Sequence, residues 1–241
     1  MSRKSIKKGP NKGIKYEERI NLILKEKNLQ LQQTQSAGAS DLPDGYFWYD
    51  GERYPLEIKK PVGDFAQVEL RWTEDKRFFY SPKSKNLDFI DFLSDQTNFL
   101  EKINSKWVDI PRKFSQTELN EEDRYWDLDH FPDIKENIKV SYIEKFYNLK
   151  TPSVYYIQIE GRGFFYMGKD ILNLGVPKLN GRPYLRARVK TRSSSRNKWG
   201  FLVAIKMPYI KESEYDLEEN TNKKFPIPEG DHVKGPMNGY L

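Results

Sequence analysis

The sequence predicts an α/β protein, and three patterns carry that expectation. A helical periodicity begins near Tyr16, an Asp-Gly reversal at residues 50–51 joins two strand-like runs, and the last third alternates apolar and charged side chains as a sheet does. At 241 residues the chain is long enough for one sizeable domain, or for a small core with a second module. Hydrophobic content of 37% is low but aromatic content of 14% is high, so a core can be built from rings and branched aliphatics.

Residues 1–15 form a basic arm in which Arg3, Lys4, Lys7, Lys8, Lys12 and Lys15 occur with no acid, as suits a solvated tail or a phosphate contact. A helix follows, with Tyr16, Ile20, Ile23 and Leu24 on one face and Glu17, Glu18, Arg19 and Lys25 around it. Glu17 borders the apolar face, where a first-turn acid is favoured by the helix dipole. A polar strand at residues 29–35 leads through Ser36-Ala37-Gly38 to the hairpin.

The hairpin joins residues 46–49 to residues 53–60 through Asp50-Gly51, a dipeptide suited to a type I′ turn because both central residues need positive φ. With those two at the tip, Tyr49 faces Glu52 and, counting outward, Asp44 faces Glu57. Facing residues lie about 4.5 to 5.5 Å apart and project from the same side of the sheet. Lys59 alternates onto that side, while Leu56 and Ile58 point to the other, buried one. Two adjacent carboxylates repel each other, and a divalent cation is the usual compensation. Asp41 is the competing acid; on the same register it faces Lys60, outside the cluster.

After Lys60, Pro61 and Gly63 break the strand, and a helix is expected over residues 64–72 through Phe65, Val68, Glu69 and Trp72, with Gln67 on its first turns. Residues 73–150 are charged and aromatic, with helices expected around 87–103 and 134–146. Between them, residues 118–133 combine many acids with Tyr125, Trp126, His130 and Phe131. Such a segment repels a polyanion and is expected either to pack away from one or to cover the basic face in its absence. His130 beside Asp127 and Asp129 suits a metal site, a general base or an ordinary surface loop.

In the last third, residues 154–159 and 163–167 read as a hairpin. Residues 184–192, YLRARVKTR, place Arg186, Arg188, Lys190 and Arg192 on one face and Leu185, Ala187 and Val189 on the other. Same-face side chains on a strand recur every 6.6 to 6.8 Å or so, comparable with neighbouring phosphates, so this stripe is expected to track a nucleic-acid backbone. The loop at residues 193–200 extends it with Arg196 and Lys198. Residues 201–205 read as a buried strand, and residues after 208 as an irregular tail wrapping the surface.

Composition excludes several classes. With no cysteine and two histidines, disulfide frameworks, thiol nucleophiles, Cys-zinc sites and multi-histidine sites drop out. Neither a GxGxxG nor a GxxxxGK[ST] run occurs, which argues against a nucleotide-driven motor. No apolar run approaches the roughly 18 residues of a membrane span, and the N-terminus lacks a signal-peptide core, so a soluble, cytoplasmic, non-secreted protein is expected. The net charge of +6 suits a polyanionic partner.

Pro43-Asp44, twelve intervening residues and Glu57-Ile58-Lys59 resemble the signature of the PD-(D/E)xK nuclease superfamily, which includes restriction endonucleases and Holliday-junction resolvases. Gly13, then Glu17 on a helix, then Ser36-Ala37-Gly38 are similar to the archaeal Holliday-junction resolvases. The resemblance covers about residues 12–70. It implies a restriction endonuclease-like core, a mixed central β-sheet flanked by helices, here followed by a β-rich basic C-terminal part. It implies Mg²⁺, with Mn²⁺ able to substitute, held by Asp44, Glu57 and the carbonyl of Ile58. Lys59 is implied as the catalytic lysine, with Glu17 and Gln67 as further active-site residues.

Expected segments are therefore a basic arm (1–15), a nuclease core (16–110), an acidic and aromatic helical insertion (111–150), a β-rich DNA-contacting part (151–210) and a tail (211–241). The expected activity is Mg²⁺-dependent hydrolysis of phosphodiester bonds in DNA by a restriction-type or viral duplex endonuclease, with a homodimer suited to two-fold-symmetric cutting. The competing readings are a branched-DNA resolvase and a non-catalytic nucleic-acid-binding protein.

Overall fold

The computed structural model describes residues 12–30, 43–60, 64–191, 198–218, 222–228, 230 and 232. The elements in order are α1 (Lys12–Glu26), β1 (Gly45–Tyr49), β2 (Glu52–Lys59), β3 (Ala66–Thr73), β4 (Arg77–Tyr80), α2 (Leu87–Asp95), α3 (Phe99–Lys106), α4 (Arg112–Ser115), α5 (Glu121–His130), β5 (Ile134–Asn137), α6 (Val140–Leu149), β6 (Tyr156–Ile159), β7 (Gly163–Tyr166), β8 (Tyr184–Thr191) and β9 (Trp199–Lys206). The fold is mixed α/β, with two sheets flanked by helices.

Two compact units result: Met1–Lys60 with Lys150–Lys178 and Glu212–Leu241, and Pro61–Leu149 with Leu179–Lys211. These bounds differ from the linear segments expected from the sequence. Strand partners far apart in the chain complete each sheet, and chain order alone does not reveal them.

The first unit holds a four-stranded sheet ordered β1-β2-β6-β7. Strands β2 and β6 run parallel, with Glu57 beside Ile157 and Ile58 beside Gln158, and the other pairs are antiparallel. Parallel neighbours need a long crossover, and this one contains residues 61–149. The predicted apolar stripe of α1 supplies Tyr16, Ile20, Ile23 and Leu24 to a core with Phe47, Leu56, Ile58, Tyr156 and Phe164. Each large side chain so buried contributes about 1.5–3 kcal/mol. Asn28, at φ 55°, ends the helix in the left-handed region.

Two expectations change in this unit. Because α1 begins at Lys12, Glu17 lies beyond the first turn and the dipole does not account for it. The tail is more than a surface wrap: Leu217 and Ile227 are buried in the core, and Tyr215 bridges Lys224. Buried Gln158 donates to Tyr16 Oη (3.0 Å) and Asp216 Oδ1 (2.8 Å) and accepts from Leu217 N, so the tail is bonded to β6 and α1.

The second unit is built on an antiparallel sheet ordered β4-β3-β9-β8-β5. One face carries an aromatic core in which Phe78, Trp107, Phe131 and Phe201 meet at ring separations of 5.1–5.8 Å. Residues 64–72 do not form the expected helix. Val68 fits both periods, but Ala66, Val68 and Leu70 are buried in alternation, and pairing with β9 on one side and β4 on the other makes a strand. The helix expected over 87–103 is broken at Asn98 (φ 51°) into α2 and α3. The one expected over 134–146 splits into β5 and α6, because β5 finds β8 as a partner. Among the described residues no helix is long and apolar enough to cross a membrane.

Candidate active site

The hairpin forms in the predicted register. Asp50 (φ 49°) and Gly51 (φ 82°) occupy the turn, and Tyr49 pairs with Glu52 through to Gly45 with Leu56. Carried one residue further, this register sets Asp44 against Glu57, and the side chains converge. Asp44 Oδ2 accepts from Lys59 Nζ at 3.2 Å and from Ile58 N at 3.0 Å, and Lys59 also pairs with Glu57. Leu56 and Ile58 are buried on the opposite face. One ammonium thus bridges two carboxylates. The Ile58 carbonyl lies on the same strand edge as the N–H that points at Asp44.

The electrostatics follow from burial. Glu57 is 4% exposed, and burial first, then the charge of Asp44, pushes its carboxyl above the usual range against the pull of Lys59. Half-buried Glu17 is pushed up to about 7 by burial and then by Asp44, again opposed by Lys59. Glu17 therefore belongs to the electrostatic cluster. Among the described residues no group of three or more His, Cys, Asp or Glu side chains is placed to hold a metal ion.

A set of positioning residues escaped the sequence reading. Asn21, one turn after Glu17, donates through Nδ2 to Glu17 O (2.9 Å) and Asp44 O (3.2 Å). Gln30 Nε2 in turn donates to Asn21 Oδ1 (3.0 Å) and Tyr46 O (3.2 Å). Gly45 makes this approach possible: a Cβ there would lie 2.8 Å from Asn21 Oδ1 and 3.3 Å from Ile58 Cδ1. The only signal in the sequence was a polar residue at the edge of an apolar helical stripe, which is common.

Other predicted residues lie elsewhere. Gln67 is on strand β3 of the second unit, where its Oε1 accepts from Lys190 Nζ (3.1 Å), and it is not the helical residue that the resemblance implied. Arg186, Arg188 and Lys190 alternate along β8 with buried Leu185, Ala187 and Val189, as predicted. The cations of this stripe are partly paired with acids. Asp133 pairs with Arg186 (Nε 2.7 Å), and Asp64 receives Lys206 (2.7 Å), Arg188 (3.2 Å) and Lys190 (3.5 Å). Those acids come from segments distant in sequence. Three cations around one carboxylate still leave positive charge in excess.

Lys198 is exposed just before β9, whereas Arg192 and Arg196 lie outside the described residues, as do Asp41, Ser36-Ala37-Gly38 and most of the basic arm. His130 stacks on Trp126 at 3.8 Å with Nδ1 bonded to Trp126 O. Asp127, fully buried, accepts from Arg112 N, Lys113 N and Trp199 Nε1 and so caps α4, which accounts for that acid structurally.

No family model and no curated protein sequence matches the chain. Among solved structures, HhaI endonuclease in complex with DNA is similar over 73% of this chain, at 17% identity and a TM-score of 0.34. The match spans 61% of that chain, less than two thirds of its length.

Proposed function

We propose that this chain is a metal-dependent deoxyribonuclease of the PD-(D/E)xK type, cutting phosphodiester bonds in duplex DNA. The observation that carries this reading is the meeting of Asp44, Glu57 and Lys59 on one side of a rigid hairpin. The donor set fits a hard divalent cation: two carboxylates, one of them buried and raised by its neighbour, and a strand-edge carbonyl. Asp44, Glu57 and the Ile58 carbonyl would hold Mg²⁺, or Mn²⁺ with its similar taste for oxygen. Held there, such an ion would supply charge neutralisation at the scissile phosphate and a lowered pKa for a bound water.

The chain's own groups supply the rest. Lys59 Nζ, held between the carboxylates, orients the attacking water and balances the negative charge that grows on the phosphate oxygens. The Glu17 carboxyl, pushed up to about 7 by burial and then by Asp44, is a further group that can take up or release a proton beside the reacting groups. The cation excess on β8 and Lys206 supplies phosphate contacts in the duplex.

The test is plasmid nicking with Mg²⁺, Mn²⁺ or EDTA by wild type, Asp44→Ala and Lys59→Ala, with linear duplexes and four-way junctions as parallel substrates. Metal-dependent cutting that both variants lose while still binding DNA supports the proposal. Undiminished cutting by both variants refutes the site. Cuts confined to junctions would make the chain a resolvase, and binding without cutting would make it a binding protein.

A further inference from the structure

We propose that the second unit carries a pocket for a single unstacked nucleobase, taken from a DNA strand whose phosphates run along β8. This rests on the DNA-cutting function proposed above and adds what the protein reads in its substrate.

On the sheet face opposite the aromatic core lies a cavity of about 500 Å³ between β3, β8, β9 and the segment around residues 84–86. Its wall and rim carry Gln67, Glu69, Asn86 and Lys190, and its floor is Gly200 and Leu202. The register explains the arrangement, because Glu69 faces Leu202 and Lys190 faces Gly200 on neighbouring strands. The volume lies in the range of small-ligand sites.

Gly200 is the informative residue. Glycine inside a strand weakens it and marks a bulge, a bend or a close approach by another group. None of the first two applies here, since Gly200 pairs in register with Lys190 and has no left-handed φ. Packing does not demand it either: a Cβ at Gly200 would meet nothing nearer than Glu69 Oε1 at 3.9 Å. The missing side chain leaves a patch of bare backbone beside the apolar Leu202, a surface on which a planar ring can lie. Around that floor stand the Glu69 carboxylate, which also pairs with Arg71 (3.1 Å), two amides and two ammonium groups, Lys85 and Lys190.

This chemistry selects among ligands. A carboxylate accepts from the exocyclic amino group of cytosine, and amide side chains pair with the donor and acceptor edge of adenine. Thymine has no amino group to offer Glu69. Lys190 borders the pocket and also belongs to the cationic strand, so a base on the floor would keep its phosphate within reach of β8. The ligand class is therefore an amino-bearing base of a DNA strand.

The experiment measures binding in EDTA, by fluorescence anisotropy, to duplexes bearing one bulged adenine, cytosine, thymine or abasic nucleotide. The abasic bulge matches the others in backbone and differs in lacking the base. Bulged adenine or cytosine should bind about tenfold tighter than the thymine or abasic bulge. In Gly200→Ile, where the branched side chain fills the floor and suits a strand, that difference should shrink to less than about twofold. A Tm at or above that of wild type shows that the variant is folded, and Gly200→Ala should fall between the two.

Equal affinity for the adenine and abasic bulges in wild type overturns the pocket, as does a preference that survives in folded Gly200→Ile. Free dAMP or dCMP competing at micromolar concentration would show that the site takes loose nucleotides, which overturns the strand-borne reading. Metal-dependent nicking with no bulge preference defeats the pocket and leaves the nuclease standing. Loss of both nicking and binding defeats both.

Discussion

Replacing Gly45 with alanine tests how α1 holds the candidate catalytic aspartate. The added Cβ would sit 2.8 Å from Asn21 Oδ1 and 3.3 Å from Ile58 Cδ1, with Gly45 itself buried. The Asn21 side chain must swing away, yet it is held by three hydrogen bonds, to Glu17 O, Asp44 O and Gln30 Nε2. At about 1 kcal/mol each, their loss brings the cost to as much as ~3 kcal/mol, similar to the 1–3 kcal/mol or so of overpacking a well-packed site. Asn21→Ala alone forfeits the same bonds and relieves the crowding. A double-mutant cycle by urea denaturation should therefore be strongly non-additive, with Gly45→Ala adding less than about 1 kcal/mol in the Asn21→Ala background. Nicking should fall in both single variants, since each unties Asp44 from α1. Additive costs in the cycle would refute the positioning role of Asn21.

Further outcomes follow from the same geometry. Lys59→Met should lower the nicking rate by about 10² or more while leaving duplex affinity within about threefold, checked by single-turnover cleavage against anisotropy. Raised carboxyls bind more protons in the folded than in the unfolded chain, so Glu17, at about 7, and Glu57 should make stability fall as pH rises from the ordinary carboxylate range toward 7. Denaturation across pH 4 to 8 should show that decline, and Glu17→Gln should flatten it. A divalent cation bound at the pair should oppose it at the high end. Asp127→Asn places an amide donor where Oδ1 or Oδ2 now accepts from Arg112 N, Lys113 N or Trp199 Nε1, and should cost about 1–3 kcal/mol and alter tryptophan emission.

The candidate site was largely legible in the sequence because its determinants are local. Asp50-Gly51 selects a turn, the turn sets the register, and the register brings Asp44, Glu57 and Lys59 to one side over a span of sixteen residues. The apolar stripe of α1 and the alternation of β8 were legible for the same reason, since side-chain period follows backbone geometry. The apolar positions of residues 64–72 satisfy two periods over a short span, so the choice between helix and strand falls to β9, some 130 residues away.

What the sequence alone determined, then, is the hairpin with its acids and lysine, the amphipathic first helix and the cationic strand. Each is written in spacing between neighbours. Only the tertiary structure decided that β2 runs beside β6 across a crossover of about ninety residues, that Asn21 and Gln30 secure Asp44, and that Asp64 and Asp133 partly neutralise β8. Those contacts join segments whose meeting depends on how whole faces are buried, and no local period encodes which distant face that will be.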